Sequence, residues 1–514
     1  MSFETKFAEL RARLQDVHDL TSVGSVLGWD RSTYLPEGGA PARARQSALL
    51  SKIRHEKATD PGLGALLTDL ERESTHLDPD GFQARLIGVA RRDFDRATRV
   101  PDAFVAELSQ HANETYGAWA RARPANDFAG LVPRLEKTLD LSRQYAAFFP
   151  EFDHPMDILV DNATEGMTVA QVREVFATLR AALVPLVAAV AGRPEPRTDF
   201  LHRLYPKEQQ LAFGERVIRD FGYDFARGRQ DLTHHPFCTR FSIDDVRITT
   251  RVKERDLSEC LFSTLHESGH AMYEQGVDRA FEGTPLARGT SSAVHESQSR
   301  LWENVVGRGP RFWKHYFPLL RDAFPEQLRD VTEQEMYRAV NVVRRSLIRT
   351  DADELTYNLH VILRFELELA MHEGTLEVRD LADAWHARYE SDLGVRAPDD
   401  RDGVLQDVHW YSGMIGGVFH GYTLGNVLSL QFWDAARKAL PDLTNQIARG
   451  EFTPLREWLT HNIYRYGRSR SANEIVRAVT GGELSVQPYL NYLRGKYGEL
   501  YSVSEEDRQA TFGF

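Results

Sequence analysis

Apolar residues recur at steps of three and four along most of the chain, beginning with Phe7, Leu10, Leu14, Val17 and Leu20. That spacing lines one face of an α-helix, so the chain is expected to open on an amphipathic helix. The same period runs through 172–190, 355–369 and 424–440. Turn residues punctuate it at Pro36–Gly39, Pro194–Pro196, Gly307–Pro310 and Pro398–Asp400. One stretch departs from the helical period. Phe237–Val252 alternates and is rich in Thr, Val, Ile and Phe, which predicts a short β-hairpin turning at Asp244-Asp245. There is no repeat of fixed period, no low-complexity tract and no long linker. The pattern predicts a mainly α protein with a small sheet.

Composition narrows the class. The 514 residues suffice for two to four average domains, or for one large unit with a deep groove. Hydrophobic residues make up 42% of the chain, enough for a sizeable core and against widespread disorder. A net charge of -12 argues against a nucleic-acid binder, which would carry a basic surplus. Cys238 and Cys260 are the only cysteines, which points to a reducing compartment rather than a disulfide framework. Both are expected to act as small buried hydrophobes, since neither has the flanking pattern of a nucleophile. The N-terminus mixes charges with apolar residues and lacks the layout of a signal peptide. The most apolar stretch, Leu183–Gly192, is too short to span a bilayer and contains Pro185. A cytoplasmic protein without membrane contact is expected.

Residues 266–270 read His-Glu-Ser-Gly-His. On a helix, His266 and His270 lie one turn apart on one face and can reach a single ion. Leu261, Phe262, Leu265, Met272 and Tyr273 give that helix a buried side. Two imidazoles suit zinc, whose catalytic sites take three protein ligands and leave one position for water. Glu267 then serves as the general base on that water. Chance also produces this five-residue pattern, but the helical context argues against it. Gly269 costs about 1 kcal/mol inside a helix relative to Ala, so a close approach of backbone or substrate is expected there.

A third ligand is needed. A histidine six residues after His270 is excluded, because Gly276 stands there and Tyr273 replaces the glycine such a pattern needs. A glutamate on a following helix is the usual substitute. Ser291–Val306 predicts such a helix, and it offers Glu296, with Glu303 as its rival. The ion itself is not fixed by this set, since cobalt or manganese can occupy similar ligands.

Spacing does not distinguish an endopeptidase from an end-trimming enzyme. A carboxypeptidase needs a fixed cation for the terminal carboxylate, and the arginine fork suits it. Arg247 in the hairpin and Arg349 in Ile348–Asp353 are candidates, although most arginines form solvated faces or surface pairs.

Several ordered motifs go further. They are His235-Pro-Phe, Asp245–Thr249, His266–His270, His295-Glu-Ser-Gln298, Ile348–Asp353 and Gly403–Trp410, preceded by Trp29-Asp30, Pro36, Arg43 and Gln46. Over nearly its whole length the chain resembles the carboxypeptidase Taq family of metallocarboxypeptidases. The resemblance implies a large, mostly helical fold with a long substrate groove, a homodimer, and broad release of C-terminal residues, with terminal proline resisted. It implies one unit over 1–514, with helical lobes either side of the groove. It also implies Glu296 as third ligand, Arg247 and Arg349 as carboxylate or substrate-backbone contacts, and His235, Gln406 and His409 around the substrate's end. Tyr422 is the expected donor to the tetrahedral oxyanion, with Tyr411 as its rival. Asp351 and Asp353 could orient a ligand or an arginine, or cap a helix. Peptides are the expected partners. An oligoendopeptidase with the same metal chemistry, an idle peptide-binding protein and a small-molecule amidase are the competing classes.

Overall fold

The computed structural model describes residues 1–503. The chain folds into two compact units. The first holds Met1–Arg99, Thr198–Tyr337 and Phe432–Glu483; the second holds Val100–Arg197, Arg338–Gln431 and the described residues from 484 onward. Each is predominantly helical, and the only sheet among the described residues has three strands and lies in the first unit.

The first unit begins with helix Phe3–Thr33, capped by the Ser2 hydroxyl on the N–H of Thr5. Its Phe7, Leu10 and Leu14 are buried against Leu63, Leu67, Leu70 and Leu86, so the three-and-four spacing does mark the inward face. Burying each leucine contributes about 1.5–3 kcal/mol. The predicted hairpin forms as β2 (Cys238–Ser242) and β3 (Asp245–Thr250), paired antiparallel with a bulge near Phe241. A strand not foreseen from sequence, β1 (Gln230–Leu232), adds parallel to the other edge of β3, giving the order β1-β3-β2. Three residues carry too little pattern to announce a strand by themselves.

Directly after the sheet, helix Leu257–Gln275 begins at Asp256, whose carboxylate accepts from the N–H groups of Ser258 and Glu259. Such a cap satisfies donors that the first turn leaves unpaired. A buried hydroxyl chain ties sheet to helix: Thr264 donates to Thr250 at 3.1 Å, and Thr250 lies 2.9 Å from Ser263. The hairpin therefore fixes the helix that carries His266 and His270.

The second unit is built around helix Val169–Ala191, which carries Pro185. Its Val172, Phe176, Leu179, Leu183, Leu186 and Val190 are buried, as the periodicity of 172–190 predicts. The apolar character extends well beyond Leu183–Gly192. At 23 residues the helix meets the length and hydropathy of a membrane span. Within the unit, Phe176 packs edge-to-face on Phe365, with ring centroids 5.1 Å apart, and Arg180 pairs with the buried Asp392. Phe365 lies on helix Tyr357–His372, which falls where the periodicity of 355–369 placed a helix.

Candidate metal centre

Three donor atoms converge in the first unit. One nitrogen each from His266 and His270 and a carboxylate oxygen of Glu296 lie within 4.8 Å of one another. The Nε2 atoms of the two imidazoles stand 3.6 and 3.4 Å from Oε2 of Glu296. The Nδ1 atoms are used elsewhere: His266 Nδ1 lies 2.9 Å from Glu303 Oε2, and His270 Nδ1 lies 2.7 Å from His295 Nδ1. With both Nδ1 atoms engaged, both Nε2 atoms are left to face the carboxylate. Two imidazoles and a carboxylate with oriented rings form the donor set of a catalytic divalent-metal site, so the residues fit such an ion.

Glu296 lies on helix Ser292–Arg300, capped by the Ser291 hydroxyl. Ser291 has φ of +45°, a conformation that L residues rarely adopt, so the turn into this helix is held under local strain. The helix then widens into a π-helical segment, Leu301–Gly307, which carries Glu303. Sequence offered Glu296 and Glu303 as rivals for one role, but they do different things. Glu296 faces both Nε2 atoms, whereas Glu303 holds the far side of the His266 ring.

Glycines let these segments approach. A Cβ on Gly269 would lie 2.6 Å from the carbonyl oxygen of Gln298, and one on Gly307 would lie 2.6 Å from a methyl of Leu265. The close approach expected at Gly269 is therefore one of backbone.

Charge is balanced locally. Arg300 donates to Oε1 of Glu296 at 2.7 Å and to Glu303 at 3.2 Å, and Arg308 donates to Glu303 at 3.3 Å. Burial alone would raise the Glu296 carboxyl, but Arg300 and the two imidazoles hold it well below the usual range. Glu303 is depressed in the same way, by Arg300 and by its bond to His266. Glu267 has no arginine partner among the described residues. Burial pushes its carboxyl up to about 7, helped by the nearby charges of Glu296 and Glu303. An uncommitted carboxylate with a near-neutral pKa is suited to taking and returning a proton.

The other site residues from the sequence fall into separate groups. In the first unit, Arg247 on β3 is bonded to Asp245 through two 2.8 Å contacts, and its guanidinium lies over the Trp29 and Phe241 rings. His235 sits exposed on the loop between β1 and β2, and no hydrogen bond joins it to the metal cluster among the described residues.

The second unit holds Arg349, Gln406, His409 and Tyr422 together. Arg349 is buried and donates to Asp407 through Nε and Nη2 and to Tyr357 through Nη1, which leaves one N–H on each terminal nitrogen. Arg364 donates to the same Asp407, so two guanidiniums share one carboxylate. Gln406 is fully engaged: its oxygen accepts from Arg349 N and Arg364, and its nitrogen donates to Leu347 and Asp402 carbonyls. His409 Nε2 lies 3.4 Å from the Tyr422 hydroxyl, and Arg349 covers the Tyr422 ring. Tyr411 is fully buried with its hydroxyl on the Val404 carbonyl. Asp353 takes the plainer of its two expected roles, capping the turn at Leu355 and Thr356.

Residues to which sequence assigned no role complete these groups. Glu274, one helical turn beyond His270, accepts from His295. Arg300 stands one turn beyond Glu296, and Asp407 sits inside the Gly403–Trp410 motif. Helical spacing from His270 and Glu296 could have found Glu274 and Arg300; nothing local marks Asp407. Cys260 is buried as expected, and Cys238 is half-buried.

A helical scaffold presenting two histidines, a following glutamate and a free neighbouring carboxylate defines a metallopeptidase. The chain belongs to the carboxypeptidase Taq (M32) metallopeptidase family, whose model matches residues 9–497. It is therefore a peptide hydrolase of the metallocarboxypeptidase class. It is 39% identical to thermostable carboxypeptidase 1 of Thermus thermophilus, over 98% of this chain and 100% of that one. With carboxypeptidase 1 of Bacillus subtilis the identity is 34%, over 97% and 99%. The crystal structure of an M32 carboxypeptidase from Deinococcus radiodurans is 61% identical and superposes with a TM-score of 0.95, covering 97% of this chain and 100% of that one.

Proposed function

We propose that the protein removes C-terminal amino acids from peptides one at a time, with broad specificity and resistance to terminal proline, using zinc held by His266, His270 and Glu296. The observation that carries this reading is the convergence of both Nε2 atoms on Glu296 beside the uncommitted Glu267 carboxyl. When bound, the divalent ion supplies Lewis acidity toward water and the scissile carbonyl. Glu267 takes the proton of the attacking water and returns it to the departing amine. Burial of Glu267 keeps that carboxyl basic enough for the task.

The free N–H groups of Arg349 suit a terminal carboxylate, and Asp407 and Gln406 fix the guanidinium in place. Tyr422 is assigned as donor to the developing oxyanion, since Tyr411 has its hydroxyl buried on a backbone carbonyl. His409 lies against Tyr422 and is assigned to the same pocket, while Arg247 and His235 are assigned to substrate contacts. The whole chain is taken as one functional peptidase, acting as a homodimer in the cytoplasm, without nucleic-acid or membrane partners.

The test is a mass-spectrometric digest of one peptide supplied with a free and with an amidated C-terminus, on protein of measured zinc content. Stepwise trimming of the free form alone is expected. Internal cleavage of both forms would replace this reading with an endopeptidase.

A further inference from the structure

The two metal-site imidazoles are oriented in different ways. His266 meets a carboxylate directly, through Glu303, whereas His270 meets another histidine, His295, at 2.7 Å between Nδ1 atoms. A nitrogen-to-nitrogen hydrogen bond needs one N–H and one lone pair. His270 must keep the lone pair on Nε2 to serve as a ligand, so its proton sits on Nδ1 and is donated to His295. His295 then accepts at Nδ1, which places its own proton on Nε2. There it meets Oε1 of Glu274 at 2.6 Å. Glu274 is buried and is itself fixed, by the N–H of Gly289 at 3.2 Å and by Arg240, whose Nε lies 3.2 Å from Oε2. With the His270 Nε2 lone pair kept for the metal, each donor in this relay finds an acceptor.

Packing holds His295 in that position. The Tyr273 ring lies 5.1 Å away, and a Cβ on Gly289 would lie 2.8 Å from the His295 ring. Ring motion is blocked on those sides, so the bond to His270 is set by the fold.

We propose that His295 is the positioning residue for His270, and that Glu274, acting through it, fixes the His270 tautomer that leaves Nε2 free for the metal. This rests on the reading of His266, His270 and Glu296 as the metal ligands. The centre thus has one ligand oriented by a carboxylate and one oriented by a carboxylate–imidazole relay, Glu274–His295–His270. The relay reaches from the ligand to the loop at Gly289.

The test compares zinc affinity in the full chain, by competition with a chromophoric chelator, for His295→Phe and His295→Asn. Phenylalanine removes the acceptor and should weaken zinc binding about 10–100-fold. Asparagine places its amide oxygen where imidazole carries Nδ1, and should recover most of that loss. Wild-type affinity in His295→Phe, or no recovery in His295→Asn, overturns the proposal. A second measurement does not depend on the variants folding. Histidine 15N shifts in the metal-free wild-type protein should show His270 protonated at Nδ1 and His295 at Nε2, and the opposite pair of tautomers overturns the relay. Failure of the wild-type protein to bind zinc would instead sink the ligand assignment, which keeps the two failures distinct.

Discussion

Gly269 and Gln298 approach so closely that a Cβ on residue 269 would lie 2.6 Å from the Gln298 carbonyl oxygen. Gly269 stands beside His270, and Gln298 is two residues beyond Glu296, so this contact sets the separation of the helices that carry His270 and Glu296. Gly269→Ala should be destabilising by about 1–3 kcal/mol, because overpacking outweighs the gain of about 1 kcal/mol in helix propensity. Equilibrium denaturation measures it. A stabilised variant would show that the helices part freely.

Glu303 holds His266 from behind while Arg300 and Arg308 balance its charge. Glu303→Gln should lower zinc affinity about 10–100-fold without unfolding the protein. Competition titration reads this directly. Unchanged affinity would mean that the His266 ring is held by packing alone.

Glu267 stands next to His266, a proposed ligand, and has no arginine partner among the described residues, so its removal should separate binding from chemistry. Glu267→Gln should retain stoichiometric zinc and lose at least about 100-fold in turnover. Metal content and kcat are the two readouts. Near-normal kcat would exclude Glu267 as the base.

In the second unit, burial holds His372 and His420 neutral, depressing each to about 4 from an ordinary 6.5. Groups depressed in the folded state bind fewer protons there than in the unfolded chain, so stability falls as pH falls from 6.5 to about 4. A tenfold change in proton affinity corresponds to about 1.4 kcal/mol, so each histidine costs the fold about 3 kcal/mol once the pH has dropped from above 6.5 to below about 4. Denaturant midpoints across this range should drop, and His420→Gln should flatten the drop. An identical pH profile in the variant would contradict the assignment.

Asp407 is the carboxylate partner shared by Arg349 and Arg364. Asp407→Asn keeps the shape but leaves two buried guanidiniums facing an amide, a change that should cost about 3–5 kcal/mol. Hydrogen exchange in helix Tyr357–His372, which carries Arg364, reports it locally. Unchanged protection would show that the guanidiniums find other partners or water.

Much of this protein is legible in one dimension because its determinants are periodic. The three-and-four spacing of Phe7, Leu10 and Leu14 marks the buried face of the first helix, and alternation marks β2 and β3. The His-Glu-Ser-Gly-His spacing puts two imidazoles on one turn, a consequence of helix geometry alone. The strand β1 is not legible, since three residues show no period. The length of the apolar helix Val169–Ala191 is obscured in sequence by Pro185. That proline lies inside the helix rather than ending it.

What sequence determined by itself, then, is whatever helix and strand geometry fix within a few turns: the helical class, the hairpin, and the pairing of His266 with His270. Tertiary structure decided the rest. Sequence favours Glu296 over its rival Glu303 without saying what Glu303 does, and placement against His266 and His270 gives one the Nε2 side and the other the Nδ1 side. The Glu274–His295–His270 relay and the shared Asp407 likewise join positions distant along the chain. Hydrogen bonds and buried charges act over about 3 Å in space, and sequence records no such distance between residues that folding brings together.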